Sequence, residues 1–74
     1  MTRYQYNVYK AIKEFVKDHQ YAPSFRELCD MTGKKSIGTI QTHLNNLKKQ
    51  GYIDYIEGKS RTIKIIKDFV PYDE

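Results

Sequence analysis

Two groups of side chains in this 74-residue chain are of types that could act on a partner. The first is a run of short hydrogen-bonding residues at helical spacing: Ser36, Gly38, Thr39, Gln41, Thr42 and Asn45. Gln and Asn can pair with adenine in bidentate fashion, and Thr offers a hydroxyl or a methyl contact to thymine. The second is basic: Lys34, Lys35, Lys59 and Arg61, with Ser24 and Arg26 ahead of them. These are groups that suit phosphate oxygens. Catalytic chemistry has less to stand on. The single cysteine, Cys29, excludes an internal disulfide, and His19 and His43 are the only histidines. No Ser/His/Asp, Cys/His or paired-carboxylate arrangement has matching context, so neither an enzyme nor a metal or cofactor site is expected.

Charge is distributed unevenly. The formal net charge is +4, but residues 34–67 hold eight basic side chains against Asp54 and Glu57, while residues 68–74 hold three acidic ones and no basic one. A basic second half suits a polyanion, because neutralising phosphates releases counterions. No apolar run approaches the ~18 residues of a membrane span, and no signal peptide is visible, so a cytoplasmic setting is expected.

A chain this short buries only ~60% of its unfolded surface, so nearly every apolar residue is needed for one core. Thr2-Arg3-Tyr4-Gln5 fits a capping box and predicts a helix from Arg3 to about His19, with Val8, Ile12, Phe15 and Val16 as its apolar stripe. Pro23 disfavours helix at Ala22. Ser24-Phe25-Arg26-Glu27 is a second capping box, opening a short helix with Phe25, Leu28 and Met31 inward. Gly33 suits its left-handed end. Ser36 is the next N-cap, and Ile37, Ile40, Leu44 and Leu47 are expected to face the core of a third helix that Gly51 stops.

After Gly51 the period changes to two. Residues 52–56 and 62–66 read as strands around a five-residue loop, with Ile53, Tyr55, Ile63 and Ile65 inward. Three helices, a short glycine-containing break between the second and third, and a basic hairpin predict a mainly α, three-helix winged helix-turn-helix. It is expected to span residues 1–67, with 68–74 as an acidic tail. In that tail Phe69, Val70 and Tyr72 either fold back onto the first helix or join a second subunit.

At this level the sequence resembles the DNA-binding domain of the LexA repressor family. The resemblance runs from about Thr2 to Ile66. It is carried by Tyr21 through Leu28 with its P-S-F-R-E-L segment, by Ser36 through Leu47 with His43-Leu44 in place, and by Gly51-Tyr52-Ile53 followed by Glu57 through Ile65 with G-K-S-R-T-I. It implies a domain that reads operator DNA with its third helix, and the family's base-reading positions fall on Ser36, Gly38, Thr39, Gln41 and Thr42. Members of the family also carry a serine–lysine peptidase domain through which they dimerise. The eight residues after Ile66 cannot hold one. Self-cleavage is therefore not expected. Dimerisation, if it occurs, is expected on a palindromic site.

Other readings stand beside these. Gly38 either lets DNA approach the backbone or is simply tolerated near a helix start. Arg26 either meets phosphate or pairs with Asp30 one turn on. His43 reads as a packed histidine and His19 as a cap on the first helix. Cys29 reads as a small buried residue, and Tyr9, Tyr52 and Tyr55 as packed rings with surface hydroxyls. The leading function is sequence-specific binding of double-stranded DNA, as a transcriptional repressor with no small-molecule ligand. The alternative is a winged helix used as a protein–protein adaptor, for example of a phage or mobile element.

Overall fold

The computed structural model describes residues 2–33 and 36–67. The order is α1 (Arg3–His19), α2 (Phe25–Thr32), α3 (Ile37–Lys49), β1 (Ile53–Asp54) and β2 (Lys64–Ile65). Both expected capping boxes are present and reciprocal. The Thr2 hydroxyl accepts from the Gln5 amide at 3.2 Å while Gln5 Oε1 accepts from the Thr2 amide at 3.2 Å. Ser24 and Glu27 do the same at 3.1 and 2.8 Å. Each box satisfies two amides that a helix start otherwise leaves without partners. Gly33 ends α2 at φ +73°, a conformation that costs glycine nothing.

The core is one cluster drawn from every element: Val8, Tyr9 and Ile12 of α1, Leu28 of α2, Ile40, Leu44 and Leu47 of α3, and Ile53, Tyr55 and Ile63 of the hairpin. Four expectations are corrected here. Val16 and Met31, at the ends of their stripes, are exposed, as is Ile37 at the first position of α3. Tyr9 and Ala11, which lie outside the expected stripe of α1, are buried. Tyr9 and Tyr55 do not carry their hydroxyls to water. Tyr9 donates to the Lys67 carbonyl at 2.9 Å, and Tyr55 donates to Asn45 Oδ1. Cys29 is buried as expected.

The strands are shorter than expected, two residues each, but their register is the expected one: antiparallel, Ile53 opposite Ile65 and Asp54 opposite Lys64. Side chains replace the missing ladder. Asp54 Oδ1 takes the Tyr55 amide at 2.9 Å, and Thr62 Oγ1 takes the Ile56 amide at 2.9 Å. Ile65 is half-buried against the core rather than within it. No helix among the described residues is long and apolar enough to cross a membrane. Phe69, Val70 and Tyr72 lie outside the described residues.

Candidate nucleic-acid interface

Helix α3 starts at Ser36, whose backbone is extended and whose Oγ accepts from the Gly38 amide at 3.1 Å. The third helical position is Thr39, so no side chain reaches back to complete a box. Ile40, Leu44 and Leu47 then turn one face inward, each with no exposed surface. The opposite face is open: Ser36, Gly38, Thr39, Gln41, Thr42 and Asn45 are all exposed.

Within that face the residues are not equally free. The Thr39 and Gln41 side chains make no hydrogen bond among the described residues, so both ends of the Gln41 amide are available. Thr42 Oγ1 donates to the Gly38 carbonyl at 3.0 Å, leaving its methyl and lone pairs outward. Asn45 is more committed. Its Oδ1 accepts from the buried Tyr55, which leaves the amide N–H groups as donors and one lone pair on the oxygen. Gly38 is at an ordinary helical φ, and a Cβ placed there meets only Ser36 Oγ, at 3.4 Å. Nothing among the described residues requires a glycine at this position.

The hairpin and its loop, residues 53–65, form the wing. Its stem is fastened to α3 by Lys48. The ammonium donates to the Tyr55 carbonyl at 3.0 Å, lies 4.7 Å from the Tyr55 ring centre and is 3.6 Å from Asp54 Oδ1. Burial, and then the nearby Glu57 carboxylate, push the Tyr55 hydroxyl up from its ordinary range, so it stays a hydrogen-bond donor at neutral pH.

The loop is fastened to α2. Arg61, at φ +58°, sends its guanidinium to Glu27 in two parallel bonds of 2.9 and 3.0 Å and to the Ala22 carbonyl at 3.1 Å. The same group lies 4.9 Å from the Tyr21 ring centre. Hydrogen bonds from Arg61 first, and from the Ser24 amide second, hold the Glu27 carboxyl below the usual carboxylate range. The Arg61 guanidinium, expected on phosphate, is engaged by Ala22 and Glu27 while its side chain stays partly exposed. Lys59, two residues away and exposed, has no side-chain hydrogen bond or ion pair among the described residues.

These pieces meet around one cleft of about 300 Å³, lined by Ser24 and Phe25 at the start of α2, Ile37 at the start of α3, and Gly58, Lys59 and Ser60 of the wing. The exposure of Ile37 is explained by its place here. It forms part of a wall between two helix starts and the loop. Ser24 Oγ accepts from the Glu27 amide, and its hydroxyl also faces the Glu27 carboxylate. Arg26 is exposed and forms no ion pair with Asp30. His43 lies half-buried and stacked with Tyr4, ring centres 6.2 Å apart, and His19 packs on Phe15 at 4.1 Å. Lys34 and Lys35 lie outside the described residues.

The supporting roles of Glu27 and Tyr55 were not foreseeable from spacing. Glu27 is already explained by its capping box, and its second partner is 34 residues away in the chain.

Comparison with known proteins bears on the whole of this surface. The family model described as the LexA DNA binding domain matches residues 1–62. The LexA repressor of Desulfatibacillum aliphaticivorans is 45% identical over 67 residues, covering 90% of this chain and 33% of that protein. That of Caldicellulosiruptor saccharolyticus is 40% identical over 68 residues, covering 92% and 34%. The transcription regulator LexA of Synechocystis is 32% identical over 66 residues, covering 89% and 32%. The chain spans about a third of the length of these curated relatives. The family match takes in all three helices, β1 and the loop that carries Lys59 and Arg61: the chain belongs to the LexA DNA-binding domain family.

Proposed function

We propose that this chain binds double-stranded DNA sequence-specifically and acts as a transcriptional repressor. Helix α3 lies in the major groove, and the wing lies on the backbone. The observation that carries this reading is the uncharged, hydrogen-bonding face of α3, where the Thr39 and Gln41 side chains have no partner among the described residues, beside the exposed cation of Lys59. Base edges are read by directed hydrogen bonds, whereas phosphates are met by cations and helix starts. The face divides in that way. Ser36, Gly38, Thr39, Gln41 and Thr42 offer readout, with Asn45 beside them held by Tyr55. Ser24, Arg26 and Lys59 serve the backbone, joined by Lys34 and Lys35 just ahead of α3. The repressor role draws support from the relatives, two of which are named LexA repressors.

One such module reads few base pairs. Two copies on a palindromic site, each on one half-site, provide the affinity that a single small interface lacks. In vitro selection from random duplex DNA, followed by footprinting, tests the reading. The expected result is an enriched site with two symmetric half-sites and protection that follows the major groove. Gel-shift titration should then show cooperative binding of two copies to the whole site and weaker binding of one to a half-site. Failure to enrich any sequence would contradict the proposal.

A further inference from the structure

We infer that Arg61 is a positioning residue of the DNA interface, fastening the wing to the start of α2 through Glu27, and not a phosphate ligand. The inference rests on the DNA-binding reading above and deepens it. The guanidinium is an inflexible planar fork, and both of its terminal nitrogens are engaged, on Glu27 Oε1 and Oε2 at 2.9 and 3.0 Å. One of them also meets the Ala22 carbonyl at 3.1 Å, and the Tyr21 ring covers the group at 4.9 Å. Every one of these contacts belongs to residues 21–27, the turn into α2 and its first turn. The backbone of Arg61 is left-handed at φ +58°, a conformation uncommon outside glycine, asparagine and aspartate. The contacts of its own side chain help to hold it there.

Glu27 serves twice. Its Oε1 accepts both the Ser24 amide at 2.8 Å and the Arg61 guanidinium. One carboxylate thus closes the helix cap and holds the wing loop in register with it. The consequence falls on the neighbours. Gly58, Lys59 and Ser60 form the wing wall of the cleft opposite Ser24 and Phe25. With Arg61 fixed, the Lys59 ammonium is presented outward from a loop that is already placed, so less freedom is lost on binding.

The two roles open to Arg61 make opposite predictions. Glu27→Gln keeps a residue type that completes the capping box, so α2 retains its start. If Arg61 positions the wing, this variant should bind the selected duplex about three- to fivefold more weakly, the range open to an exposed ion pair. If Arg61 meets phosphate, removing an acidic group beside it should tighten binding. Arg61→Lys should also weaken binding, because an ammonium is a point charge and cannot replace the fork on Glu27. The double variant should be no weaker than the more affected single variant, since both remove one contact. Arg61→Gln should leave the slope of log affinity against log salt unchanged, where a lost phosphate contact would reduce it by about 0.9.

Circular dichroism of each variant checks that the helices are retained. Wild-type protein that fails to discriminate between duplexes would overturn the interface itself and the role of Arg61 with it. Wild-type protein that discriminates, with Glu27→Gln binding as tightly or more tightly, would overturn only the positioning role.

Discussion

Helix α3 is seated by Ile40, Leu44 and Leu47, none of which has exposed surface, whereas the wing buries Ile53, Tyr55 and Ile63 at its stem and is otherwise held by two ladder pairs and a set of polar fastenings. Those fastenings are Lys48 on Tyr55 and Asp54, Tyr55 on Asn45, and Arg61 on Glu27. Apolar burial is not screened by salt and is lost only with the fold. Exposed ion pairs are screened and individually weak. The contrast matches the tasks assigned to the two parts. Base readout needs side chains held on a rigid element, because a misplaced hydrogen bond does not discriminate. Phosphate contact tolerates some play, because a charge acts over a wider range of positions. On the proposed reading, the wing is the part whose position conditions can tune, and α3 the part that fixes which sequence is read.

The strongest way to break this comparison is to attack the seat of α3. Leu44→Ala should cost about 2–5 kcal/mol of stability, seen as a lower denaturant midpoint, and should weaken all DNA binding together with the fold. A loss near that of an exposed ion pair would mean that α3 is not held as described. Gly38→Ala sharpens the division between fold and readout. The fold does not need the glycine, so alanine should stabilise α3 by up to about 1 kcal/mol. It should nevertheless weaken binding to the selected duplex, because the Cβ would intrude where backbone approaches DNA. A variant that is more stable and binds as well as wild type would assign Gly38 no role at the interface.

The smallest effect is the pH dependence of the wing fastening. The carboxyl of Glu27 titrates below its ordinary range in the folded chain, chiefly through Arg61. A lowered folded value means that the contribution is fully present above the unfolded value and is lost as pH falls through the folded one. The loop contacts should therefore hold at neutral pH and loosen only below the ordinary carboxylate range. Proton NMR of the Arg61 side chain across that range would show it, and Glu27→Gln should flatten the profile. A transition above pH 5 would point to a different group.

The helices were legible because their determinants are local. Thr2 with Gln5, Ser24 with Glu27, and Gly33 lie within a few residues of the ends they define, and the structure realises all three. The exposed face of α3 was legible for the same reason, since burial of Ile40, Leu44 and Leu47 leaves the remaining positions outward. What was not legible depends on distant partners. Ile37 fits the inward spacing, but at the first position of α3 it meets the cleft beside Phe25 and the wing. The Arg61 side chain reads as a wing cation until Glu27 is brought to it. Asn45 reads as a free amide until Tyr55 occupies its oxygen. The strands read longer than they are because Asp54 and Thr62 side chains capture amides that a ladder would have used.

The central claim is that α3 carries specificity and the wing carries salt-dependent affinity. It is tested most directly by titrating wild type, Gln41→Ala and Lys59→Ala on the selected duplex and on a scrambled one, each over a series of salt concentrations. Gln41→Ala should lose about 1–3 kcal/mol on the selected duplex alone, collapsing the ratio between the two duplexes while keeping the salt slope. Lys59→Ala should weaken both duplexes alike and reduce the slope by about 0.9, with the ratio intact. A Gln41→Ala protein that discriminates as well as wild type, or a Lys59→Ala protein that loses discrimination at an unchanged slope, would contradict the account.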